Sequence, residues 1–160
     1  MLTYRKCEKK DEALWIRLNR EFIAYESQDE DLWNGVSQVS DQRFARTFEE
    51  ALASPELINL LIFEEDGKPV GFANLMTIYS VWSHGKALYL DDLFIREEHR
   101  GKGYGKRALE YIEEFAQSLG CKRIQFHSET TNPSAKEFYR AVGYTPAEMY
   151  FYVKYFEKEV

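Results

Sequence analysis

The chain has 160 residues, 44% of them hydrophobic, and a formal charge of −6. That length predicts one domain over residues 1–160 with a sizeable core. The acidic balance argues against general nucleic-acid binding, which leaves a basic footprint, and it suits a cationic partner. No apolar run approaches the roughly 20 residues that cross a bilayer. The first ten residues are polar and charged, unlike a signal peptide, and Cys7 and Cys121 lack metal-ligand spacing. A cytoplasmic protein with no membrane segment and no metal is the expectation.

In chain order, Leu2 to Lys6 reads as a short strand. From Asp11 to Glu26, Ala13, Leu14, Ile16, Leu18, Phe22 and Ile23 recur at helical spacing. Ser27 to Ser40, with Trp33 and the acidic run Asp29-Glu30-Asp31, reads as a solvated loop. Asp41 to Ala53 is a second helix, ended by Ser54-Pro55. Leu57 to Glu64 and Pro69 to Tyr79 are strands joined by a hairpin turn whose signal is Asp66-Gly67. Ala87 to Ile95 is the next strand. A helix over Lys106 to Leu119 carries the apolar stripe Ala108, Leu109, Ile112, Phe115, Ala116 and Leu119, capped by Gly120. Arg123 to Ser128 is a strand, Pro133 to Val142 a helix, and Met149 to Tyr155 a last strand. His84, in the loop before the fourth strand, reads as solvated, and Cys121 as a core thiol. The order predicts a mixed α/β domain.

Arg100-Gly101-Lys102-Gly103-Tyr104-Gly105 stands between a strand and a helix. Such a turn offers backbone N–H groups at the positive end of the helix dipole. Its glycines allow positive φ and close approach. Arg100, Lys102 and Lys106 add charge, so a phosphate ligand is implied, with pyrophosphate fitting best. The nucleotide P-loop is excluded, because Gly105-Lys106 is followed by Arg107. The dinucleotide fingerprint is excluded too, because its third glycine comes one residue early.

A second pattern is linked to the first. Asn132 reads as an N-cap, Pro133 as the first helical residue, and Phe138-Tyr139 leads to a stop at Gly143-Tyr144. Together, R-x-x-G-x-G and N-x-x-A-x-x-F-Y-x-x-x-G-Y resemble the GNAT superfamily of acyl-CoA-dependent N-acetyltransferases, over about residues 68 to 145. The resemblance implies a central mixed sheet flanked by helices, with the fourth and fifth strands splayed to admit acetyl-CoA. It implies that the backbone of Arg100, Gly101, Lys102, Gly103, Tyr104, Gly105 and Lys106 holds the pyrophosphate. Leu93, Phe94 and Ile95 would pair with the pantetheine arm, and one of their N–H groups would polarise the thioester carbonyl. Asn132, Ser134 and Phe138 would complete the cofactor site. Tyr139 would give a proton to the leaving thiolate, a role suited to a phenol of pKa about 10. Read alone, Tyr139 is equally a packed helix tyrosine.

Asp91 and Asp92 interrupt an apolar strand, which is costly unless they are paired, hydrated or used. Alternation would send them to opposite faces unless a bulge intervenes. Gly85-Lys86-Ala87-Leu88-Tyr89-Leu90-Asp91-Asp92-Leu93-Phe94-Ile95, together with Ala24-Tyr25-Glu26, resembles segments of the spermidine/spermine N-acetyltransferases, with Asp91 where Glu is usual. That resemblance implies an amine site formed by Tyr25, Glu26, Asp91 and Asp92. The carboxylate pair itself reads either as one solvated and one ion-paired group or as a base, Asp91, plus a cation anchor; the C-terminal end diverges from the resemblance, and Glu148 there is a further candidate anchor. The family resemblance also implies a homodimer. A protein, peptide or aminoglycoside N-acetyltransferase and a non-catalytic acyl-CoA-binding module remain as alternatives.

Overall fold

The computed structural model describes residues 1–26 and 32–157; the acidic run Asp29-Glu30-Asp31 and the start of its loop lie outside them. The elements are β1 (Leu2–Lys6), α1 (Glu12–Glu26), α2 (Asp41–Leu52), β2 (Ile58–Glu65), β3 (Lys68–Ser80), β4 (Gly85–Ile95), α3 (Tyr104–Ser118), β5 (Arg123–Gln125) and α4 (Pro133–Ala141). The strands form one sheet in chain order. β1 to β4 are antiparallel neighbours, and β5 lies parallel to β4 after the α3 crossover. This is the mixed α/β architecture that the element order predicts.

Local chemistry explains the joints. Asp66 and Gly67 both take positive φ, 51° and 73°, as a two-residue hairpin between twisted strands requires. Ser40 caps α2 by accepting from the Arg43 N–H at 3.1 Å. Asn132 caps α4 by accepting from the Ala135 N–H at 3.2 Å, and Pro133 occupies the first turn.

Strand alternation sorts the core into two layers. Leu61, Phe63, Ala73, Leu75, Leu88 and Leu90 pack with Ala108, Leu109, Ile112, Phe115 and Ala116 of α3. On the other face, Leu60 and Ile62 pack with Trp15 of α1 and Phe48 of α2. Phe72 and Phe94 pack with Leu18 of α1 on that same face. Cys121 is only partly buried and packs at the margin of the α3 layer. No helix among the described residues is long and apolar enough to cross a membrane.

Most boundaries shift by one or two residues, and three departures from expectation have a clear physical reason or consequence. α3 starts at Tyr104 rather than Lys106, because Gly103 at φ 79° supplies the left-handed residue that begins it. β5 ends at Gln125 rather than Ser128. The strand expected over Met149 to Tyr155 does not form among the described residues. A strand exists only through a neighbour's hydrogen bonds, and this segment bonds elsewhere. Phe151 stacks on Trp33 and His127, with ring centroids 6.1 and 5.3 Å away. The Tyr155 hydroxyl donates to the Leu32 carbonyl at 3.0 Å. Met149, Tyr150, Tyr152 and Phe156 are left more than four-fifths or nearly so in solvent.

Candidate active site

β4 has two unlike edges. Along β3 it is paired from Gly85 to Ile95. Along β5, among the described residues, it pairs only at Ala87, Leu88 and Tyr89. Beyond Tyr89 the pairing stops, and Leu93, Phe94 and Ile95 border a cleft. Gly105 at the start of α3, Phe138 and Tyr139 of α4, and Tyr25 and Glu26 at the end of α1 supply the other walls.

The glycine turn opens onto this cleft. Gly101 and Gly103 take φ of 75° and 79°, which side-chain-bearing residues rarely adopt. Arg107 is the first N–H of α3 to find a helical acceptor, the Gly103 carbonyl at 3.1 Å. The N–H groups of Tyr104, Gly105 and Lys106 therefore have no acceptor within the helix. Phe138 lies beneath Gly105, near enough that a Cβ there would touch its ring at 3.5 Å. The Tyr104 side chain points away from the cleft, donating to Glu65, so only its backbone is offered. Gly101, Lys102 and Lys106 are exposed on the turn. Arg100 donates from Nε to the Ile95 carbonyl at 2.9 Å, and its guanidinium lies 3.8 Å from the Tyr25 ring centroid.

Tyr139 packs between Phe126 and Phe138, with centroids 4.5 and 5.2 Å away. Burial, with a smaller push from the Glu26 charge, raises its proton affinity. The phenol therefore stays protonated through neutral pH. Among the described residues its hydroxyl has no hydrogen-bond partner. Asn132 stands at the mouth of an adjoining hollow with Glu129 and Thr131. Its Oδ1 serves the cap and also accepts from the Ser134 hydroxyl at 2.9 Å. Ser134 is exposed and steadies Asn132 through that bond.

The two aspartates occupy a bulge. Asn74 faces Asp92 across the ladder and Leu75 faces Leu90, so Asp91 is the extra residue. Side-chain parity gives the same answer: Leu88 and Leu90 share the α3 layer with Leu93 and Ile95, which needs one residue inserted between 90 and 93. The insertion turns Asp92 to the α1 face, where Asn74 Nδ2 donates to its Oδ2 at 2.8 Å. Burial, then the charge of Asp91, pushes the Asp92 carboxyl up to about 7 despite that bond. Burial also raises Asp91. Both lie on β4 just upstream of the cleft-lining residues. Burial likewise raises Glu26; the Arg100 charge opposes this, and that of Glu129 adds to it.

Glu129 and Asn74 are site residues that the sequence reading passes over. Asn74 carried a legible signal, a lone amide in an otherwise apolar strand. Glu129 carried none, since it comes to Glu26 only when the segment after β5 folds across the end of α1; Trp33 Nε1 holds it there at 3.2 Å. Among the described residues Glu148 is brought only to Lys136, at 3.8 Å, and is largely exposed. His84 is an exposed residue of the β3–β4 hairpin.

Comparison with known proteins agrees with this geometry. Residues 15–144 match the acetyltransferase (GNAT) family model. The chain is 26% identical over 144 residues to a D-amino-acid N-acetyltransferase of Saccharomyces cerevisiae, covering 89% of this chain and 84% of that one. It is 26% identical over 145 residues to a thialysine N-epsilon-acetyltransferase of Bos taurus, covering 87% and 81%. Its fold superposes with a TM-score of 0.75 on a predicted acetyltransferase from Clostridium acetobutylicum solved with acetyl-CoA, at 18% identity and 96% coverage of both chains. The open edge of β4, the glycine turn and the capped α4 thus sit in a chain that belongs to the GNAT acetyltransferase family and is an N-acetyltransferase.

Proposed function

We propose that the protein transfers the acetyl group of acetyl-CoA to a primary amine of a small cationic, polyamine-like molecule. The observation that carries the substrate class is Glu26 on the cleft wall beside the Tyr25 ring, with Glu129 adjoining it. An aromatic face next to a carboxylate is a place where a cation rests. Asp91 and Asp92 add carboxylates on β4, just upstream of the strand's cleft-lining residues.

The residues present fit the cofactor. Unbonded N–H groups at Tyr104, Gly105 and Lys106 suit a pyrophosphate, with Gly101 and Gly103 shaping the turn and Arg100 and Lys102 adding charge. The open edge at Leu93, Phe94 and Ile95 suits an extended amide-bearing arm. Asn132 Nδ2 is left to hold that arm while Oδ1 is occupied by the cap and Ser134. Phe138 walls the apolar side. Bound acetyl-CoA supplies the activated acyl thioester. An N–H of the β4 edge then polarises the carbonyl. Tyr139 gives its proton to the departing sulfur. Asp92, rather than Asp91, takes the proton from the substrate ammonium, because its proton affinity lies near neutrality. Asp91, Glu26 and Tyr25 anchor the rest of the cation.

A homodimer belongs to the same reading. The exposed apolar side chains of Met149, Tyr150, Tyr152 and Phe156 and the uncovered outer edge of β5 can each cover the other between two copies. Sedimentation velocity tests this; a monomer at micromolar concentration refutes it.

The activity test is thiol release from acetyl-CoA across spermidine, spermine, putrescine, an aminoglycoside, free amino acids including D-forms, and a lysine peptide. Selective turnover of polyamines supports the proposal. Selective turnover of an aminoglycoside, amino acid or peptide keeps the acetyltransferase and overturns the substrate class. Coenzyme A binding without turnover of any amine points to the non-catalytic module.

A further inference from the structure

Behind Asp92 lies a closed set of neutral polar groups. Trp15 Nε1 donates to Asn74 Oδ1 at 2.9 Å. Asn74 Nδ2 donates to Asp92 Oδ2 at 2.8 Å and to Asn19 Oδ1 at 3.1 Å. Asn19, buried, donates from Nδ2 to the Trp15 carbonyl at 2.7 Å. The directions are not interchangeable. An indole N–H can only donate, so the amide oxygen of Asn74 must face it. Its NH2 must then face Asp92. Both of its hydrogens are committed, one to the carboxylate and one to Asn19. Oδ2 of Asp92 is thereby held as an acceptor, and a proton arriving at this carboxyl is directed to Oδ1. Among the described residues, Oδ1 has no donor.

We propose that Trp15, Asn74 and Asn19 are positioning residues that choose the oxygen of Asp92 which takes the substrate proton. This rests on the reading of Asp92 as the proton acceptor. In the step, an N–H bond of the substrate ammonium breaks, an O–H bond forms at Oδ1, and the nitrogen keeps the electron pair with which it attacks. The groups facing Asp92 are few. β4 presents Asp91 and Tyr89; the Tyr89 hydroxyl is hydrogen-bonded to His127 from the segment after β5. β3 presents Asn74, and α1 presents Trp15 and Asn19. Asp91 is the nearby charge that disfavours ionisation, and the Asn74 bond is what opposes it. The circuit also ties the middle of α1 to the bulge. Tyr25 and Glu26, about two turns further along the same helix, are thus held in register with Asp92.

The test is the carbon-13 titration of aspartate carboxyls in the full-length protein, with the Asp92 signal identified by its loss in Asp92→Asn. Asn74→Leu removes the donor at nearly constant volume. It should raise the Asp92 midpoint by about one pH unit, the worth of one hydrogen bond to a charged group. Trp15→Phe keeps the packing and removes only the N–H that orients Asn74. It should move the midpoint the same way by about half as much, with no further shift when combined with Asn74→Leu. The acidic limb of kcat/KM for spermidine acetylation should follow each shift. An unmoved midpoint in Trp15→Phe and Asn74→Leu overturns the positioning role. A midpoint that moves while the limb stays removes Asp92 as proton acceptor, and the proposal falls with that reading.

Discussion

The two edges of β4 do opposite work. The edge facing β3 is laddered along its whole length and carries the fold. The edge facing β5 is laddered for three residues and then left open, and the cleft is built on the open part. Unpaired backbone is ordinarily a liability, and here it is the binding surface. A change on the closed edge should therefore cost stability, whereas one beside the open edge should cost function. The bulge at Asp91, on the closed edge, is where the division blurs.

Four substitutions can break or sharpen that division. The largest effect is expected on the closed edge. A Cβ at Gly71 would lie 2.1 Å from the Phe94 carbonyl oxygen. Gly71→Ala should cost about 3 kcal/mol or more, because backbone must move. Urea unfolding measures it, and an unchanged midpoint would mean the two strands are not so close. Next, Tyr139→Phe beside the open edge should lower kcat about a hundredfold with coenzyme A affinity and melting temperature unchanged. Equal activity would remove Tyr139 as the acid.

At the bulge the sign inverts. The fold favours the neutral form of Asp92, whose proton affinity rises from an ordinary value near 3.8 to about 7. Below about pH 4 the carboxyl is protonated folded or unfolded, and the penalty is nil. Between there and pH 7 the unfolded chain ionises first and stability falls; above pH 7 the penalty is complete. Asp92→Asn should thus stabilise the protein at pH 8 by about 2 kcal/mol, allowing for partial exposure, and not at pH 4, while impairing turnover. Unfolding curves at the two pH values decide it; equal stabilisation at both would show that ionisation is not the cause. The smallest effect belongs to the turn. Space around Gly103 is open, so Gly103→Val acts through backbone conformation alone. It should weaken coenzyme A about tenfold by calorimetry, the loss of one charge-assisted bond; unchanged affinity would refute the turn's role.

Much of this protein was legible in its sequence, because much of it is decided locally. The hairpin needs positive φ at two adjacent residues, and Asp66-Gly67 announces that. Asn132-Pro133 marks a helix start by its own capping chemistry, and the period of the α3 stripe follows from helix geometry. The glycine turn and the Asn132 to Tyr144 pattern, both local strings, named the family before any contact was known.

What tertiary structure decided depends on residues far apart in the chain. The alternation of β4 leaves open which face each aspartate takes; the bulge opposite Asn74 settles it, through pairing with a strand that begins some twenty residues earlier. Met149 to Tyr155 has the aromatic-rich composition of a strand, yet composition creates no partner, and Phe151 settles on Trp33 and His127 instead. Glu129 reaches Glu26, and Trp15 orients Asn74, only because separate elements pack together. Local rules determine what each segment can be; the competition among distant partners for the same hydrogen bonds and apolar faces determines which carboxylate oxygen is left to take a proton.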